Sequence, residues 1–182
     1  VFQPDEANTR RLAALGLVSA ALWTDLDGDG DPDLLLATEW GPVRIFQNDS
    51  GQLTDVTNAT GLADHLGWWN GVASGDFDGD GQLDLIATNW GQNTPYRATK
   101  EQPLLLYYSD YDNSGTLDLV EAQYDPGSEK TLPLRNFVAL GQAIPQLRRQ
   151  VRTHAEFAQM SVEELFGPRL ERGGRLEVNE LR

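Results

Sequence analysis

Cysteine is absent, which removes disulfides, thiolate metal sites and cysteine nucleophiles together and leaves the compartment open on that count. Histidine is nearly absent as well. With only His65 and His154, a zinc site would lack its usual donors. Basic residues are scarce, at 14 Lys and Arg against 28 Asp and Glu for a net charge of −14. Nucleic acid is thereby excluded as a partner, because holding a phosphate backbone takes clustered Lys and Arg. No apolar run approaches the roughly 18 residues of a membrane-crossing helix, and VFQPDEANTR lacks the basic-then-apolar order of a signal peptide. Membrane insertion is not expected.

What the chain has in excess is aspartate, unevenly placed. Residues 1–134 carry 22 acidic and 6 basic side chains, a balance of −16, whereas 135–182 carry 6 acidic and 8 basic, a balance of +2. The chain therefore reads as two parts. Starting at Val1 and stopping at Arg182, it reads as a segment of a longer mature protein.

The acidic part repeats. DLDGDGDPDLLLATEWG from Asp25 aligns with DFDGDGQLDLIATNWG from Asp76 once one residue is skipped in the apolar run, and DYDNSGTLDLVEAQYD from Asp110 is a looser third copy. Short apolar stretches precede each copy (18–24, 71–75, 103–109) and follow it (34–38, 85–89, 117–124), and their length and bounding Gly and Asp predict strands. The skipped residue suggests a β-bulge. VRIFQN (43–48) and QLTDVT (52–57) add two strands to the first copy. Four strands in about fifty residues is the size of one β-propeller blade. From about Asn136 the pattern turns helical. Pro145 breaks it, Thr153 with Glu156 and Ser161 with Glu164 have capping-box spacing, and Gly167-Pro168 is a stop. RLEVNEL (175–181) alternates again and reads as the first strand of a further unit. The expected fold is mainly β: two to three antiparallel blades over 1–134, a helical segment over 135–174 and a further strand from 175 to 182.

In bulk water, two carboxylates about 4 Å apart repel by roughly 1 kcal/mol, and at a typical protein dielectric by about 4. Loops this acidic call for a cation. Position 1 is Asp25, Asp76 or Asp110, position 3 is Asp27, Asp78 or Asp112, and position 5 is Asp29, Asp80 or Ser114. Glycine stands at position 6, and Asp33, Asp84 or Asp118 at position 9. The backbone carbonyl at position 7, from Asp31, Gln82 or Thr116, completes the set. Alternating oxygens around a glycine turn suit Ca²⁺, which gathers six to eight oxygens, better than Mg²⁺. The competing reading is a plain hydrophilic turn, which three copies disfavour. In the third loop Glu121 stands at position 12, so that loop also satisfies the EF-hand pattern; strands rather than helices are expected around it, with Glu121 an optional ligand.

These signatures resemble FG-GAP/VCBS repeats, the calcium-binding blades of integrin α-subunit propellers and of many secreted bacterial proteins. The order of the whole chain is similar to VCBS-type proteins associated with ASPIC/UnbV domains. The resemblance implies a β-propeller with Ca²⁺ in its loops, serving as a binding or adhesion module; the expectation built on it is a non-enzymatic module, secreted or on a cell surface, that binds a protein or glycan and uses Ca²⁺ structurally. A closed propeller takes about four to eight blades, so the rest of a longer propeller or a homo-oligomer is expected. The alternative is part of a secreted carbohydrate-active enzyme, with His65, Asp64 or Glu39 facing the tryptophans; an intracellular EF-hand sensor is a third. Packing between blades is expected for Trp23, Trp40, Trp68, Trp69 and Trp90 ahead of stacking on a sugar ring or a partner, and of the five Trp68 and Trp69, in a Gly- and Asn-rich stretch, are the first candidates for exposure. Arg148, Arg149 and Arg152 read as a solvated helix face or an intramolecular dock.

Overall fold

A computed structural model describes residues 3–181; Val1, Phe2 and Arg182, the expected ends of the segment, lie outside them. The chain forms two units, Val1–Thr94 with Glu180–Arg182, and Pro95–Asn179. It is mainly β, with an antiparallel sheet in each unit.

In the first unit, helix α1 (Glu6–Arg11) precedes a meander of β1 (Leu17–Thr24), β2 (Asp33–Gly41), β3 (Arg44–Asp49) and β4 (Gln52–Asp55). Each strand pairs with the next in sequence, which is the four-stranded blade pattern. β2 is buried on both faces because its neighbours cover its edges and the unit covers its sides: Leu35 and Ala37 are fully inaccessible, and Leu34 and Leu36 pack with Phe46 and Leu53. Ser50 and Gly51 make the β3–β4 turn with left-handed φ of 51° and 91°, the conformation a tight hairpin prefers. The sequence reading missed α1, whose start is capped by Asp5 accepting from the N–H groups of Ala7 and Asn8.

β5 (Gly67–Gly75) joins β2 at Glu39 and Gly41, and β6 (Asp84–Asn89) pairs with β5. The second copy is thus a hairpin without the third and fourth strands of the first. The expected bulge is not in the apolar run. From Asp33 to Ala37 and from Asp84 to Thr88 the hairpins run in step, and the register breaks on the preceding strands, at Ser19 and Asn70. Trp40 and Gly91, at the same offset as Asp25 and Asp76, then share a left-handed φ, 57° and 68°, and β2 breaks register against β5 at Trp40, between Glu39 and Gly41.

At the end of β4, Asp55 accepts from Arg44 and from the Thr57 N–H and hydroxyl. Burial raises its pKa, but those donors outweigh burial and hold its carboxyl below the usual range. A depressed folded pKa stabilises above the unfolded value and loses that contribution as pH falls through the folded one. Asp55→Asn should therefore lower the melting temperature at pH 7 by an amount worth about 1 kcal/mol for this partly exposed pair. The difference should begin to shrink as pH drops below the ordinary carboxylate value of about 3.9 and vanish only once pH lies below the depressed folded value. Paired melts at neutral and acid pH check it.

In the second unit β7 (Leu104–Ser109), β8 (Asp118–Asp125) and β9 (Lys130–Pro133) follow in order, and β10 (Gly174–Val178) pairs with β7 on the other side. The strand read as opening a further unit is an edge of this sheet. Between β9 and β10 lie α2 (Phe137–Ala143), α3 (Leu147–Gln150), α4 (His154–Phe157) and α5 (Val162–Phe166). Their apolar residues, among them Ile144, Leu147, Val162, Leu165 and Phe166, cover Tyr107, Val120 and Ala122 of the sheet. The charge step at 134/135 is therefore not where the chain divides; the helices share a core with the third acidic hairpin. Ser161 and Glu164 form the full capping box. Thr153 caps α4, but Glu156 reaches the N–H of Arg152 instead of closing the box. Arg148, Arg149 and Arg152 are exposed. Among the described residues no helix is long and apolar enough to cross a membrane.

Candidate metal-binding loops

The three acidic loops span β1–β2, β5–β6 and β7–β8 and share one backbone path. Position 6 adopts left-handed φ at Gly30, Gly81 and Gly115 (95°, 86° and 84°), and so does position 4 at Gly28, Gly79 and Asn113 (77°, 82° and 58°). The second requirement was not read from the sequence. Its signal was present, since Asn is among the few side chains that tolerate this region.

Their hydrogen bonds repeat as well. The position-1 carboxylate accepts from the N–H at position 6 at 3.0, 3.0 and 2.9 Å. Position 3 accepts from position 5 at 3.2, 3.1 and 3.0 Å. Position 9 accepts from the N–H at position 2, from Leu26, Phe77 and Tyr111, at 2.9 Å in every case. The acids are thus aimed by backbone donors that offset part of their repulsion. A carboxylate has about four lone-pair sites, so an oxygen accepting one N–H retains capacity toward a cation.

Three groups converge, each with carboxylate oxygens within 4.8 Å of one another: Asp25, Asp27 and Asp29; Asp76, Asp78 and Asp84; Asp110, Asp112 and Asp118. An all-oxygen, anionic donor set fits a hard cation and disfavours soft or borderline metals. Burial, then the like charges of Asp112 and Asp110, push the Asp118 carboxyl up, the response of an acid held among acids.

The remaining candidates stand outside these groups. Asp33 is 2% exposed, and its second oxygen accepts from the Asn48 N–H on β3 at 2.8 Å. The second loop has no equivalent strand, and there Asp84 joins the cluster. Asp31 accepts from Ser50, while Asp80 engages both the backbone and side-chain nitrogens of Gln82. Ser114 bonds Thr116. Strands flank the third loop, and Glu121 pairs with Arg135 at 3.2 Å, away from the EF-hand role.

The loops differ in outside support. Gln47, Asn48 and Ser50 brace the first through Asp27, Asp33 and Asp31, and Gln146 holds the Asp112 carbonyl of the third. Among the described residues, every hydrogen bond to the second loop's carboxylates arises within it.

Tryptophan placement departs from expectation. Trp68 is buried between Trp90, stacked at 4.4 Å, and Trp40 at 5.2 Å, whereas Trp23 and Trp90 are 56% and 46% exposed. The Gly- and Asn-rich flanks of Trp68 form strand β5, not a loop. His65 pairs with Glu180, 115 residues on, a partner with no local signal.

Residues 25–87 match the family described as FG-GAP-like repeat. The match takes in the first two loops; the third loop lies beyond it. Cartilage acidic protein 1 of Xenopus tropicalis is 38% identical over 66 residues, covering 36% of this chain and 10% of that protein. The match thus spans about a tenth of that curated relative's length.

Proposed function

We propose that this chain is a calcium-stabilised repeat module that presents a binding surface outside the cell and performs no chemistry itself. The observation that carries the reading is the threefold recurrence of one loop, in which backbone donors aim three carboxylates at a common point. Asp25, Asp27 and Asp29 would hold one ion, Asp76, Asp78 and Asp84 a second, and Asp110, Asp112 and Asp118 a third, with the position-7 carbonyls adding oxygens. The ion supplies charge compensation, and binding energy becomes folding energy. Extracellular modules bind Ca²⁺ with Kd as weak as about 10⁻⁴ to 10⁻³ M, adequate where calcium is plentiful. The FG-GAP-like match and a relative named for cartilage support that location. A protein or glycan is the proposed ligand.

Hydrogen exchange tests it. In millimolar Ca²⁺ the amides of 76–84 should gain the most protection relative to chelator, and those of 25–33, already braced by β3, the least. Equal exchange with and without calcium in all three loops would reject the reading.

A further inference from the structure

Within the first unit lies a cavity of about 220 Å³ that the loops do not use. Leu35, Val72, Leu85 and Ala87 contribute apolar wall and Trp69 an aromatic one. The Trp69 indole N–H is already donated to the His65 carbonyl at 3.1 Å, so the ring offers its hydrocarbon. His65 and Glu180 also line the cavity. Their pairing, Nδ1 to Oε2 at 2.5 Å, is built rather than incidental. The Glu180 N–H donates to the Leu66 carbonyl at 3.0 Å, and the Asn89 amide donates to the Glu180 carbonyl at 2.9 Å, fixing that residue from both sides.

We propose that this cavity is a binding site for a small, flat, neutral molecule of phenol or indole type, carrying one hydrogen-bond donor. The size follows from comparison: an enclosed apolar cavity of about 150 Å³ admits benzene, and this pocket, partly open to solvent with Leu85 and Ile86 on its exposed rim, has somewhat more room. The donor follows from the pair. In the neutral tautomer that gives Nδ1–H to the Glu180 carboxylate, Nε2 of His65 is an acceptor, the polar partner such sites use to orient an otherwise apolar ligand. Neutrality follows from charge, because the Glu180 carboxylate in the wall and a net charge of −14 oppose an anion.

The test titrates the full chain with phenol, with toluene as its donor-free counterpart and with benzoate as an anion, following the methyl resonances of Val72, Leu85 and Ala87 by NMR. Phenol should shift them saturably and bind about tenfold tighter than toluene, the scale of one net hydrogen bond, with benzoate weaker than both. His65→Leu should erase the preference for phenol while retaining toluene, and Ala87→Leu, which fills space without touching the pair, should weaken both. Signal dispersion reports whether each variant is folded. Unsaturable shifts with every probe, or an unchanged phenol preference in folded His65→Leu, would overturn the site. Neither result bears on the metal loops, which share none of these residues.

Discussion

Asp76→Ala should remove most of the calcium-dependent gain in melting temperature that the second loop contributes. Asp76 accepts from the N–H groups of Gly79, Asp80 and Gly81 and also belongs to the second carboxylate group, so one truncation takes away both the loop's internal anchor and one of the proposed metal donors. An ion at a hundred times its dissociation constant stabilises by about 2.7 kcal/mol per site, and that is the scale of the expected loss in calcium. Asp25→Ala should cost less loop order in chelator, because Gln47, Asn48 and Ser50 still hold the first loop. Melts of both variants with Ca²⁺ and with chelator check the ordering. A calcium-dependent shift in Asp76→Ala as large as in the parent would place the ion elsewhere.

Phe166→Ala should destabilise the second unit by about 3 to 5 kcal/mol, the usual cost of removing a large buried ring. Phe166 is 2% exposed and meets the Tyr111 ring at 4.9 Å; Tyr111 is position 2 of the third loop, and its N–H anchors Asp118. The helices therefore hold the loop from behind, through the ring next to its first carboxylate. Exchange protection should fall across 104–125, and calcium should recover part of it. Unchanged protection there would mean that the helices do not support the third hairpin.

The strands beside the acidic loops were legible because each is a short apolar run bounded by Asp and Gly, and the three loops announced their own turns, whereas β9, KTLP, carries no such run and was not read. The repeat even specified which strands pair, since a hairpin loop fixes its neighbours. Other features were hidden for physical reasons. Whether an aromatic is buried depends on what stacks on it, and Trp68 is covered by Trp40 and Trp90 from outside its own strand. The cluster membership of Asp84 and not Asp33 depends on a backbone donor from β3, a strand the second copy lacks. Net charge located a change in composition at 134/135, but cohesion follows apolar contact, and the helices bury their faces on β7 and β8. The pairing of His65 with Glu180 required a chain return that periodicity does not encode.

Calorimetric titration of Ca²⁺ into the chelator-stripped chain tests the metal assignment most directly. Three ions per chain should bind, with one lost in Asp76→Ala and a second in the Asp76→Ala/Asp110→Ala double variant, and Mg²⁺ at the same concentration should bind more weakly. Absence of calcium binding at millimolar concentration, or a stoichiometry untouched by these substitutions, would contradict it.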